Sequence, residues 1–146
     1  MKVEIKNRFS GSVQFTAEVD ASFETKSHAL QIGAAVKWGL KQEADLREAD
    51  LRGANLGEAP IIDAGVDKRG YIFRATYDPE SFDLQITAGC RTWKTIAEAQ
   101  AHFGEGYGSD GDVTECLAKI QYIETVFEAR QKEAEAKTKP LAEVSA

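Results

Sequence analysis

Cysteine and histidine are scarce in this chain. Cys90 and Cys116 are its two cysteines, and they form no C-x-x-C, so neither a zinc knuckle nor a disulfide framework is indicated and reduced thiols are expected. His28 and His102 stand without a clustered carboxylate or thiol pattern, which gives no reason to expect a metal site. No apolar run approaches the ~18 residues of a membrane span. The opening MKVEIKNRFSGSVQF alternates charge with apolar residues where a signal peptide would carry an unbroken apolar core. A soluble, cytoplasmic protein without membrane association is therefore expected. Positive charge is in deficit, 18 Lys and Arg against 24 Asp and Glu, and the net charge of −6 disfavours general nucleic-acid binding while leaving room for a local basic pocket. Phosphate-binding loop patterns are also missing. Gly104, Gly106, Gly108 and Gly111 fit neither G-x-x-x-x-G-K-[ST] nor a G-x-G-x-x-G that follows a strand, so they are expected to form a connector able to close over a ligand.

What the chain has instead is a repeat. Ala44 to Ala59 reads ADLRE ADLRG ANLGE A: Ala44-Asp45-Leu46, Ala49-Asp50-Leu51 and Ala54-Asn55-Leu56 open three successive units of five. A period of five matches neither a 3.6-residue helix nor a two-residue strand. The competing possibility is an amphipathic helix over Gln42 to Ala54, which is rich in helix formers and has Glu43 and Arg47 at i,i+4. Leucines five apart would, however, step around such a helix by about 140° and share no face. A fourth unit, Ala59-Pro60-Ile61-Ile62-Asp63, keeps only the leading Ala and an apolar centre.

The flanks predict an α+β fold. Lys2 to Phe9 and Val13 to Val19 alternate around Ser10-Gly11, a β-hairpin. Ser27 is a plausible N-cap for a helix to Lys41, with Trp38 packing where that helix meets the hairpin or the repeat. Asp63 to Arg69 is expected to be a polar link, Gly70 to Tyr77 a strand, Asp78 to Ser81 a turn, and Phe82, Leu84 and Ile86 a second strand. Thr95 and Glu98 form a capping box for a short helix through Phe103. A long helix from near Asp112 is expected to bury Val113, Cys116, Leu117, Ile120, Ile123 and Phe127, its pattern dissolving from Ala129. The expected organisation is residues 1–41 as hairpin and capping helix, 42–63 as the repeat, 64–137 as an α+β module and 138–146 as a flexible tail.

The A-D/N-L units resemble the pentapeptide-repeat family, whose members coil into a right-handed, four-sided parallel β-helix. That resemblance implies Leu46, Leu51 and Leu56 inside, Ala44, Ala49 and Ala54 at the corners, and Arg47, Glu48, Arg52 and Glu58 facing solvent or a partner. Three or four units make at most one short coil, which needs covering by the flanks or another subunit, so a homo-oligomer is expected. The opening KVEIKNRFSGSVQFTAEVD, the Trp-bearing helix and the repeat together resemble a group of small bacteriophage and prophage proteins of this family.

The chemistry-bearing candidates lie in the second half. Ala88-Gly89-Cys90-Arg91, then Trp93 and His102, with Arg74 and Tyr71 upstream, offer arginine forks for an anion and aromatic faces for stacking. Plainer roles compete: Arg91 pairing with a carboxylate, Cys90 as a buried small hydrophobe, and His102 as a satisfied helix residue. Cys90 and His102 show no orienting third residue, so no catalytic residue is assigned, and no cofactor is expected. The phage resemblance implies a non-catalytic counter-defence protein, and with these candidates the expectation is that it sequesters a small anionic, nucleotide-like immune signal through Arg91, Arg74, Trp93, Tyr71 and His102. The alternatives are an inhibitor docking on a host defence protein through Arg47, Arg52 and Glu48, and an oligomerising structural adaptor.

Overall fold

The computed structural model describes residues 1–57, 59–104 and 113–138. Alternation builds the hairpin as expected. Strands β1 (Lys2–Lys6) and β2 (Val13–Glu18) pair antiparallel, with Val3 opposite Ala17 and Ile5 opposite Phe15, and bury Val3, Ile5 and Ala17. Their reversal is wider than a Ser10-Gly11 turn: Asn7 Oδ1 accepts from the Phe9 and Ser10 amides, and Gly11 takes φ 73°. After a 3₁₀ turn (Ala21–Thr25), the Ser27 hydroxyl accepts from the Leu30 amide at 3.3 Å and opens α1 (His28–Lys41). Trp38 stacks on Phe15 with ring centroids 6.4 Å apart, so it packs the helix on the hairpin.

The fivefold period has a local cause. Asp45, Asp50 and Asn55 each accept, through Oδ1, from the amide two residues on, at 3.0, 3.2 and 3.2 Å. The Leu46, Leu51 and Leu56 carbonyls each accept from the amide of Ala49, Ala54 or Ala59, at 3.3, 3.1 and 3.1 Å. An Asx bond followed by a β-turn uses five residues and starts again. Leu46, Leu51 and Ala49 are buried, Leu56, Ala44 and Ala54 are half-buried, and Arg47, Glu48 and Arg52 are exposed. Glu58 lies outside the described residues. The stretch is a succession of turns, and no β-helix coil is shown; nor is there the alternative helix, since α1 ends at Lys41.

The repeat is covered within the single chain. The Arg8 amide donates to the Glu48 carbonyl and the Asp50 amide to that of Lys6, both at 2.7 Å, and the Asn55 amide reaches the Ala29 carbonyl at 3.0 Å. At Gly33 a Cβ would fall 2.0 Å from the Asn55 carbonyl oxygen, so only glycine lets α1 lie this close to the third unit.

The second half departs from expectation in its strand count. The presumed fourth unit and polar link are largely a strand, β3 (Ile61–Val66), because two β-branched residues follow Pro60 and pair with β4 (Ile72–Tyr77). β5 (Leu84–Ala88) and β6 (Arg91–Trp93) complete an antiparallel sheet in the order β3-β4-β5-β6. The expected boundary between residues 63 and 64 therefore falls inside a strand. Register sorts the two faces: Ile62, Ala75, Ile86 and Trp93 lie side by side on one, and Asp63, Arg74, Thr87 and Thr92 on the other. The first row packs under α2 (Ile96–Gly104) and α3 (Val113–Thr138), with Phe73 against Phe103 and Tyr77 against Phe127. The Thr95 hydroxyl caps α2 by accepting from the Glu98 amide at 3.1 Å.

β3 joins the two cores. Ile61 belongs to the core of the hairpin, α1 and the repeat, whereas its neighbour Ile62 belongs to the core beneath α2 and α3. Its outer edge is closed by α3: Lys119 Nζ donates to the Ala64 carbonyl at 2.9 Å and Arg130 Nη1 to that of Ile61 at 2.7 Å. Cys116, Ile120, Ile123 and Phe127 are buried as expected, with Val113 and Leu117 partly so. The helix runs to Thr138, beyond Ala129 where the sequence pattern fades. The expected start at Asp112, the glycine-rich connector after Gly104 and residues 139–146 lie outside the described residues. Among those described, no helix is long and apolar enough to cross a membrane.

Candidate functional site

A cleft of about 420 Å³ separates the repeat from the polar face of the sheet. One wall is the end of α1 and the first repeat unit, Leu40 and Glu43 to Arg47; the other is Ile61, Arg74, Thr76, Gln85 and Thr87. Strand alternation sets Arg74 and Thr76 on this face of β4, and register brings Gln85 and Thr87 of β5 beside them.

Arg74 is only 2 % exposed. Its Nε donates to Asp63 Oδ2 at 3.0 Å, and its Nη1 to the Leu46 carbonyl at 2.7 Å, so one side chain ties the sheet to the repeat. A guanidinium has five N–H donors, and these are its two bonds to described residues. Burial lowers its pKa below the ordinary arginine value, opposed by Asp63 and reinforced by the like charge of Arg8. It is still a cation at neutral pH. Thr87 is also buried, and its hydroxyl makes no hydrogen bond among the described residues. Beyond Glu43 the cleft opens into a groove of about 1060 Å³, with Lys37, Lys41 and Lys94 among its basic residues and Asp78, Glu80 and Asp83 among its acidic ones.

The candidate residues named from sequence do not gather in one place. Tyr71, Arg91, Trp93 and His102 line a second cavity with Arg69 and Cys90, but its volume is about 60 Å³, against the ~300–1,000 Å³ of ordinary ligand pockets. Arg74 is in the cleft instead. In the small cavity the Trp93 and His102 rings approach to 5.1 Å, and Arg69 lies 4.8 Å from the Tyr71 ring centroid while holding buried Asp67 at 2.8 Å. Burial works against the Asp67 carboxylate, yet the bonds from Arg69 and the Tyr71 amide hold its pKa below the usual value. Arg91 is exposed and has no ion pair among the described residues. Cys90 is exposed too, correcting the expectation of a buried thiol: it sits in the β5–β6 turn after Gly89, whose φ is 60°.

The surface arginines of the repeat are internally paired. Arg47 reaches Asp45 at 3.1 Å and Arg52 reaches Asp50 at 2.8 Å. The hydrogen bond from Arg52 brings the Asp50 pKa down to about 2. Each of these two units therefore presents a neutral Arg–Asp fork. No group of three or more His, Cys, Asp or Glu among the described residues would hold a metal ion. Sequence reasoning missed Glu43, Asp63, Thr76, Gln85 and Thr87 as site residues. Alternation placed Thr76 beside Arg74, but nothing in the sequence gave the facing wall.

Comparisons with protein-family models, with curated proteins and with solved structures returned no match for this chain.

Proposed function

We propose that this chain is a non-catalytic binding protein of the phage counter-defence kind, which sequesters a small anionic, nucleotide-like ligand over Arg74. The observation that carries this is a buried guanidinium, fixed by Asp63 and the Leu46 carbonyl, lining a cleft of about 420 Å³. That volume falls within the range of small-molecule sites, and a pre-fixed arginine loses little freedom when it meets an anion. The Thr76 and Thr87 hydroxyls and the Gln85 amide supply neutral hydrogen-bonding groups on the same wall. The hydrogen bonding that recurs every five residues supports kinship with pentapeptide-repeat proteins, and through them the phage setting and the cytoplasm of an infected bacterium.

Docking on a host defence protein is a second function favoured by one observation, the exposure of Phe9 (59 %) and Val13 (48 %) at the hairpin reversal. A homo-oligomer is a separate proposal, tested by light scattering. To test sequestration, the purified chain is incubated with lysate from defence-activated bacteria, freed of unbound solutes and denatured, and the released small molecules are analysed by mass spectrometry. Recovery of an intact nucleotide is the expected result. A chain that emerges empty, and that binds no nucleotide in direct titration, contradicts the proposal.

A further inference from the structure

Glu43 occupies an unusual backbone position. α1 ends in a Schellman motif, in which the Glu43 amide donates to the Leu40 carbonyl at 3.3 Å and the Ala44 amide to that of Gly39 at 2.9 Å. The residue after the cap of such a motif is left-handed and normally glycine, because a Cβ is disfavoured there. Glu43 holds φ 57°. Its carboxylate is exposed and has no hydrogen-bond or ion-pair partner among the described residues, so no side-chain contact offsets the left-handed backbone. The same residue lines both the Arg74 cleft and the outer groove, at their junction. Strain of this kind, at a residue facing a cleft, points to a role in binding.

We infer that Glu43 reads ribose hydroxyls, so that the site selects ribonucleotides over 2′-deoxyribonucleotides. This rests on the sequestration of a nucleotide-like ligand proposed above. An ionised carboxylate only accepts hydrogen bonds, and it repels phosphate. Its ligand must therefore present donors at the junction, while the anionic part meets the Arg74 guanidinium further in. In a nucleotide the sugar lies between phosphate and base, which sets vicinal hydroxyls at the junction and the base in the outer groove. In dinucleotide-binding folds a carboxylate likewise hydrogen-bonds the ribose 2′-hydroxyl.

The test titrates the full chain with the four ribonucleoside 5′-monophosphates and their 2′-deoxy counterparts. The wild type is expected to bind at least one ribonucleotide about tenfold or more tightly than its deoxy form, the effect of one hydrogen bond to a charged group. Glu43→Gln is expected to reduce that preference to about twofold. Glu43→Gly should lose the preference and at the same time raise the thermal midpoint by a few degrees, by relieving the strain. Equal binding of the two sugars by the wild type, or an undiminished preference in Glu43→Gln, overturns the inference and leaves sequestration standing. So does recovery from lysate of a ligand without ribose. Binding of none of these probes, together with an empty chain from lysate, overturns both.

Discussion

Arg74 and Arg91 lie on the same antiparallel sheet, and their surroundings are opposite. Arg74 faces the repeat from the polar side of β4, buried, paired with Asp63 and lining a cleft of about 420 Å³. Arg91 starts the edge strand β6, exposed, beside an aromatic cavity of about 60 Å³. An arginine is useful for recognition when the fold has fixed its fork and removed competing water, and only Arg74 meets both conditions. The difference comes from the first half of the chain, which supplies a second wall to one arginine and none to the other.

That comparison can be broken from either side. The largest effect is expected at Asp63: Asp63→Ala leaves a buried guanidinium without its counter-charge and should cost about 3–5 kcal/mol in urea unfolding. Arg91→Ala, on an exposed edge, should stay within about 0.5 kcal/mol. If the two cost the same, the asymmetry between the sites is wrong. Next comes Gly33→Ala, whose Cβ would meet the Asn55 carbonyl oxygen 2.0 Å away; separating α1 from the repeat should cost about 2–3 kcal/mol, even though alanine is the better helix former. A stable Gly33→Ala chain would mean that the wall is looser than described.

The smallest effect is expected in acid. Arg52 holds the Asp50 pKa at about 2, below its ordinary value, so the contribution of this carboxylate to stability is present at neutral pH and is lost as pH falls through about 2. Asp45, lowered by Arg47, acts in the same direction. Thermal unfolding of the wild type and Asp50→Asn should therefore differ at pH 6 and converge towards pH 2. A difference that persists into acid would show that the fork contributes nothing through charge.

Much of the local structure was legible in the sequence: the hairpin alternation, the Ser27 and Thr95 caps, and the apolar stripe of α3 are signals that neighbours in sequence impose. The repeat was legible as a period, and its bonding explains that period, but its ending was not. Ala59-Pro60-Ile61-Ile62-Asp63 kept enough of the pattern to read as a fourth unit, and only pairing with β4 makes Ile61 and Ile62 strand residues facing two cores. The cleft was the least legible feature. Tyr71, Trp93 and His102 stand out in the sequence as aromatic or titratable groups near Arg91, whereas the cleft joins residues 40–47 to residues 61–87 through tertiary packing that no local signal encodes.

The proposed ligand lies over Arg74 and away from Arg91. The most direct measurement exposes the wild type, Thr87→Val and Arg91→Ala chains to the same defence-activated lysate and quantifies by mass spectrometry what each releases on denaturation. Thr87→Val keeps its volume but loses a cleft hydroxyl that makes no bond among the described residues. The expected result is the same nucleotide, in equal amount, from the wild type and Arg91→Ala, and about a tenth as much or less from Thr87→Val. A ligand retained by Thr87→Val and lost by Arg91→Ala would contradict the account.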